Sequence, residues 1–275
     1  ICTLTMEFYR RNYIEGLFLS SGVIQSPNYT MELLCKTLIM LREVHHFNGY
    51  IHCKAVPGAS PDLIEMTGWY ADRMSVNLEL ATAEGLRTLA PHKTRKNILN
   101  PMKMIQMGIH ESKNHAITDT NQSVLSNYTY QLASDDWNSG GSAEQSIREK
   151  ILDMGPTQMT DYTLRTVSRP KNNRRFAPAG QSTQMIIGAT PENDYQILSV
   201  TEALYKKFDL KRVFFSAFIR VNDDSSLPEL PGGPSLLREH RLYQADWLLR
   251  FYGFQAGELL SEERPHFNVL LDPKC

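Results

Sequence analysis

The chain of 275 residues has little cysteine: four residues, Cys2, Cys35, Cys53 and Cys275, with no close pair among them. That scatter excludes a dense disulfide framework and a zinc site of the usual short spacing. An excess of charge is also missing, since 29 Lys and Arg against 30 Asp and Glu leave a formal charge of −1. No global field directs the chain toward nucleic acid or a membrane, and any such binding has to come from a local patch. Long hydrophobic runs and a basic-then-apolar leader are absent as well, so the expectation is a soluble, cytoplasmic protein with no membrane partner. In that setting the acceptor-like triplets at Asn28, Asn121 and Asn127 read as chance. The length is enough to bury a sizeable core, as one α/β domain or two smaller ones.

What the sequence does have is one phrase written twice. Gly58-Ala59-Ser60-Pro61-Asp62 and Gly188-Ala189-Thr190-Pro191-Glu192 each lie between a strand-like and a helix-like run, and Ser26-Pro27-Asn28 is a looser copy. Glycine ends a strand without steric cost, Ser or Thr caps a helix, proline suits the first turn, and an acid favours the positive end of the helix dipole. Repeated joints of this kind predict parallel strands with crossover helices, and such folds place ligand sites at the strand C-termini.

Periodicity predicts strands over 16–21, 50–56, 73–80, 183–187 and 212–218. Helices are predicted over 30–44, from 61 onward, over 191–208 and over 235–252. Met31, Leu34, Leu38 and Leu41 mark the buried face of the helix at 30–44, with Cys35 as a core thiol beside them. Ile1, Leu4 and Phe8 have helical spacing with no capping residue ahead, so the chain is expected to begin inside a helix. The resulting organisation is a barrel in two parts, 1–112 and 181–225, separated by a polar insertion at 113–180 and followed by a helical extension at 226–275. The insertion carries a flexible turn segment at 138–142, a short helix near 143–154, and a basic loop containing Arg165, Arg169, Lys171, Arg174 and Arg175 with no acid among them. Arg169, Lys171, Arg174 and Arg175 are candidates for phosphate contact, the alternative being a solvated basic loop. Arg238, Arg241 and Arg250 are further candidates for phosphate contact, the alternative being internal pairing in a helix so rich in Tyr, Trp and Phe.

Alternation within the strands suggests the chemistry. Ser75, Asn77 and Glu79 share one face of 73–80, and Met74, Val76, Leu78 and Leu80 share the other. Over 50–56, His52 and Lys54 oppose Ile51, Cys53 and Ala55. A parallel α/β fold covers both strand faces, and a barrel turns such a polar stripe into the lining of its interior. A lined site is more economical than several unpaired buried polar groups. The alternatives are a solvent-facing sheet or an internal pair such as Lys54 with Glu79. At the strand ends, Ser20-Ser21-Gly22 and Gln181-Ser182-Thr183-Gln184 offer hydroxyls, amides and backbone N–H groups. Lys54 would suit a Schiff base if burial depressed its pKa, and a neighbouring Glu79 would keep it charged.

Several ordered blocks also carry a resemblance. They are Leu4 to Asn12, Leu17 to Val23, Phe47 to His52 with Lys54, Pro57 to Pro61, Ser75 to Glu79, Arg175 to Gln184, Gly188 to Glu192, and Arg238 to Phe254. Together they resemble the radical S-adenosylmethionine family described as DNA modification or repair proteins. The resemblance implies a partial (β/α) barrel of TIM type that holds a four-iron four-sulfur cluster and S-adenosylmethionine, draws on an electron donor, and acts on DNA or RNA. By position it implies cofactor contacts from Ser20, Ser21 and Gly22 toward the methionyl amino group. Lys54, Asn77 and Glu79 fall toward the ribose and carboxylate, and Gly188 to Glu192 beside the adenine. His52, Ser75 and Gln184 complete the polar lining. The chain departs from the family in lacking a C-x-x-x-C-x-x-C loop, the source of the thiolates such a cluster requires. The cluster is therefore expected to be absent from this chain, which reads as a central portion without the first barrel strand. Asp272-Pro273-Lys274 resembles the entrance to a further helix-hairpin-helix region. Two other classes stay open: a non-catalytic nucleic-acid-binding protein using the basic loop and the Arg/aromatic helix, and a Schiff-base lyase using Lys54.

Overall fold

The computed structural model describes residues 1–115, 174–220 and 236–268. Arg165, Arg169, Lys171, the turn at 138–142 and the short helix near 143–154 lie outside the described residues. The protein is mixed α/β, with parallel strands alternating with helices, the elements from which a partial β/α barrel is built. Among the described residues no helix is long and apolar enough to cross a membrane. Two compact units form, one of Ile1–Val76 with Leu99–Gln181 and one of Asn77–Ile98 with Ser182–Cys275.

The first unit opens with α1 (Cys2–Arg10), which has no side-chain cap. Strand β1 (Gly16–Leu19) leads to α2 (Pro27–Ile39), where Ser26 Oγ accepts the Tyr29 N–H at 3.1 Å and Pro27 occupies the first turn. A π-helical turn, Met40–Val44, extends α2. Strand β2 (Tyr50–Lys54), helix α3 (Pro61–Tyr70) and strand β3 (Arg73–Ser75) follow. β1, β2 and β3 pair in parallel, with Gly16 opposite Tyr50 and His52 opposite Arg73. Met31, Leu34, Leu38 and Leu41 are buried as the period of 3.6 requires. The Cys35 thiol lies 3.0 Å from Thr67 Oγ1, and burial pushes it up to about 12.

Two helices were not legible in the sequence, α4 (Ala83–Leu89) and α5 (Arg95–His115). The second carries Pro101 in its interior, a residue that ordinarily ends a helical pattern. The strand expected over 73–80 is also shorter. Glu79 adopts a left-handed conformation with φ of 66°, and the Leu78 N–H is taken by Thr183 Oγ1 at 2.9 Å instead of by a strand neighbour.

The second unit holds α4, strand β4 (Gln181–Ile187) from Ser182 onward, helix α6 (Asp194–Phe208), strand β5 (Arg212–Ala217), helix α7 (Leu236–Tyr252) and the short α8 (Ala256–Leu259). β4 and β5 pair in parallel from Ser182 opposite Arg212 to Ile187 opposite Ala217. The helix expected from Pro191 begins instead at Asp194. Asn193 caps it, in a box with Gln196 that satisfies two orphan N–H groups, while Thr190 turns its hydroxyl to Glu192. The left-handed glycines of both repeated joints are present, Gly58 at φ 85° and Gly188 at φ 82°. Ser60 sits at the N-cap of α3 without a side-chain bond, its own N–H donating to Asn28 Oδ1 at 2.7 Å.

Side chains close the outer edge of β5. The Val213 N–H donates to Tyr205 Oη at 3.0 Å, the Phe215 N–H to Tyr243 Oη at 3.0 Å and the Ala217 N–H to Glu239 at 2.9 Å, while the Tyr243 hydroxyl donates back to Phe215 O at 2.8 Å. Asp246, fully buried, accepts from Tyr205 and from Arg250 Nε at 2.8 Å. Arg238 reaches Asp194 at 2.6 Å and Arg241 reaches Gln244 at 2.7 Å, so all three arginines of α7 have internal partners.

Phe176 anchors the chain where it re-enters the first unit. Its ring packs edge-on to Trp69 at 5.4 Å, its N–H donates to Ser112 Oγ at 2.9 Å, and a Cβ on Gly68 or Gly108 would approach the ring to 2.0 or 2.8 Å. Both helices therefore need glycine where the ring sits between α3 and α5. Gly68→Ala is expected to cost about 1–3 kcal/mol through overpacking. Phe176→Ala is expected to cost about 3–5 kcal/mol through the cavity it leaves. Urea unfolding checks both as a lowered midpoint at unchanged slope.

Candidate functional site

Within the first unit the alternation on β2 is as the sequence implies: Ile51 and Cys53 are fully buried, His52 and Lys54 half-buried, and Tyr50 exposed. On β3, Met74 is fully buried and Ser75 nearly so. The register brings His52 Nε2 to 2.9 Å from Ser75 Oγ, and the Phe18 ring lies edge-on to the imidazole at 4.8 Å. Burial, with the positive charge of Arg73 second, lowers the His52 pKa from 6.5 to about 4. The ring is therefore neutral near pH 7 and can accept or donate one proton in a hydrogen bond. Ser20, Ser21 and Gly22 form an exposed loop at the end of β1. Ser21 Oγ donates to Gly22 O at 2.7 Å, and a Cβ at Gly22 would meet nothing within 4 Å. The loop thus has room for a ligand beside it.

The second unit carries the other predicted residues. Asn77, buried, donates from Nδ2 to Gln184 Oε1 across a long 3.4 Å. Glu79 exchanges backbone hydrogen bonds with β4, its N–H donating to Gln184 O at 3.0 Å and its carbonyl accepting from Ile186 at 2.6 Å. Its carboxylate receives Lys93 Nζ at 2.6 Å. Sequence reasoning did not find Lys93, because a partner fourteen positions on, beyond α4, leaves no periodic signal. Glu192 is 8% exposed and accepts from Thr82 Oγ1 at 2.8 Å and from the Thr190 hydroxyl. Thr82 also caps α4 by accepting the Gly85 N–H at 3.1 Å, so one hydroxyl ties the helix start to the carboxylate. Thr82, Gly85, Ala189, Thr190, Glu192 and Gln196 line an open cleft of about 460 Å³. That lies within the ~300–1,000 Å³ typical of small-molecule sites.

The basic residues divide. Arg174 pairs with Asp72 at 3.1 Å, Arg175 is exposed, and Arg169 and Lys171 lie outside the described residues. Among the described cysteines, the buried Cys35 and Cys53 do not suit an iron-sulfur cluster. Burial pushes the thiols of Cys35 and Cys53 upward, away from the thiolate a cluster needs, and no group of three His, Cys, Asp or Glu among the described residues converges on a point.

His52 sets a pH dependence. Its folded pKa is below the unfolded value of 6.5, so the unfolded chain binds the extra proton. The stability this neutral ring contributes is present above about pH 6.5 and is lost as pH falls toward about 4. In His52→Gln the fall in stability across that window is expected to be shallower, measured by urea unfolding at a series of pH values. No family model matches the chain, and no curated protein or solved structure matches it either.

Proposed function

We propose that this chain belongs to a radical S-adenosylmethionine enzyme acting on nucleic acid. The observation that carries the reading is the element Gly188 to Glu192. A left-handed glycine ends β4, and four residues later a buried carboxylate, fixed by two threonine hydroxyls, borders a cleft of small-molecule size. In the resemblance this element lies beside the adenine. Supporting it within the same unit is the polar pair of Asn77 with Gln184.

In this reading Glu192 and Gln184 hold the nucleoside part of the cofactor, and Asn77 and Glu79 its more polar groups. Lys93 pairs with the Glu79 carboxylate at 2.6 Å and orients it. Cleavage of the sulfonium bond needs an electron that a cluster would deliver, and the described residues offer no fitting ligands for one.

The expected outcome is weak, saturable binding of S-adenosylmethionine in equilibrium dialysis. Glu192→Gln should lower it roughly tenfold, the equivalent of one hydrogen bond of about 1.4 kcal/mol. Anaerobic reconstitution with iron, sulfide and a strong reductant should give neither stoichiometric iron nor deoxyadenosine. Absence of saturable binding, or binding that Glu192→Gln leaves untouched, defeats the cofactor reading. Deoxyadenosine formation would show that the chain does hold a cluster.

A further inference from the structure

Arg73 opens β3 opposite His52 and shares its strand face with Ser75. Its guanidinium has no hydrogen-bond or ion-pair partner among the described residues, and its Nε–H is shielded from solvent without an acceptor. The side chains on the same face of β2 are Tyr50, His52 and Lys54, none of them an acid. The adjacent acid, Asp72, is already used: Oδ2 accepts from Arg42 at 2.6 Å and from the Ile51 N–H at 2.7 Å, and Oδ1 accepts from Arg174 at 3.1 Å. Arg73 nevertheless acts on its neighbours, since its charge opposes protonation of His52 and favours ionisation of Tyr50.

A half-buried cation with no counter-charge is costly unless something supplies one. The same face also presents Phe18, 60% exposed and edge-on to His52, so an aromatic ring and the guanidinium flank the imidazole from the two neighbouring strands. Ring and guanidinium together suit a nucleotide, one for the base and the other for the phosphate. We infer that this face of the first unit binds the phosphate group of a nucleotide, with Arg73 as its counter-charge, the His52 imidazole and Tyr50 hydroxyl as hydrogen-bond partners, and Phe18 beneath the base. The inference assigns His52 to a phosphate instead of to the cofactor lining and uses none of the residues around the Glu192 cleft, so its test on His52 is distinct from the test of S-adenosylmethionine binding at Glu192.

The test is the titration of His52, followed by the ring proton resonances of the whole chain in chloride and in inorganic phosphate at equal ionic strength. An anion seated on Arg73 should raise the His52 pKa by about one unit or more. Thymidylate should do the same at lower concentration and shift the Phe18 ring resonances. An oligothymidylate acting at lower concentration still would assign the phosphate to a polymer, and equal potency would assign it to a free nucleotide. In Arg73→Met, His52 should titrate higher without any anion and phosphate should add nothing, while Arg73→Lys should keep the response. Identical His52 titrations in chloride, phosphate and both nucleotides would overturn the inference, as would a phosphate response that survives Arg73→Met.

Discussion

The first unit depends on one buried guanidinium. Arg42, in the π-helical turn after α2, donates to Phe47 O at 2.5 Å, Gly49 O at 2.9 Å, Tyr70 O at 3.2 Å and Asp72 at 2.6 Å. These acceptors are the approach to β2, the end of α3 and the approach to β3. One side chain therefore fixes where both strands start, and Asp72 passes the constraint on to Arg174 and to the Ile51 N–H. Burial lowers the Arg42 pKa, yet three carbonyls and one carboxylate compensate the charge, which an ion pair alone seldom does. The π-helical turn has a use here, since it directs Arg42 to these carbonyls.

The contrast with Arg73 is instructive. Arg42 is buried and Arg73 half-buried in the same unit, but among the described residues one has its hydrogen bonds filled by the chain and the other has no partner. Nothing in the residue type distinguishes them. Only the location of the carbonyls and of Asp72 does, and those positions are set by the fold. The basic residue that looked available in sequence, Arg174, is committed to Asp72, whereas the uncommitted cation sits inside a strand that reads as ordinary alternation.

Much of the scaffold was legible because it depends on local chemistry. Ser26-Pro27 starts α2, the two left-handed glycines fall at both repeated joints, and the apolar face of α2 is the one its spacing shows. The predicted strand at 73–80 failed for a nonlocal reason: Thr183 takes the Leu78 N–H and β4 holds the left-handed Glu79, so its end is set by residues about a hundred positions away. Of the site, the polar residues were legible as a stripe and their partners were not. His52 with Ser75 follows from register, but Lys93 on Glu79 and Thr82 on Glu192 follow from α4 and the loops flanking it, which carry no periodic signal toward their partners.

The edge of β5 has a consequence for assembly during synthesis. Tyr243 both accepts from and donates to Phe215, as a peptide group of another strand would, and Tyr205 and Glu239 take the alternate amides on either side. A strand edge satisfied in this way offers no template to a second chain. Glu239 and Tyr243 belong to α7, which comes later in the chain than β5. Until α7 docks, the amides of Phe215 and Ala217 are bare in a strand of β-branched and aromatic residues, and the nascent chain is adhesive at that edge. Docking of α7 is thus the step that ends the risk of aggregation, and a substitution that slows it would reduce yield more than it weakens the finished fold.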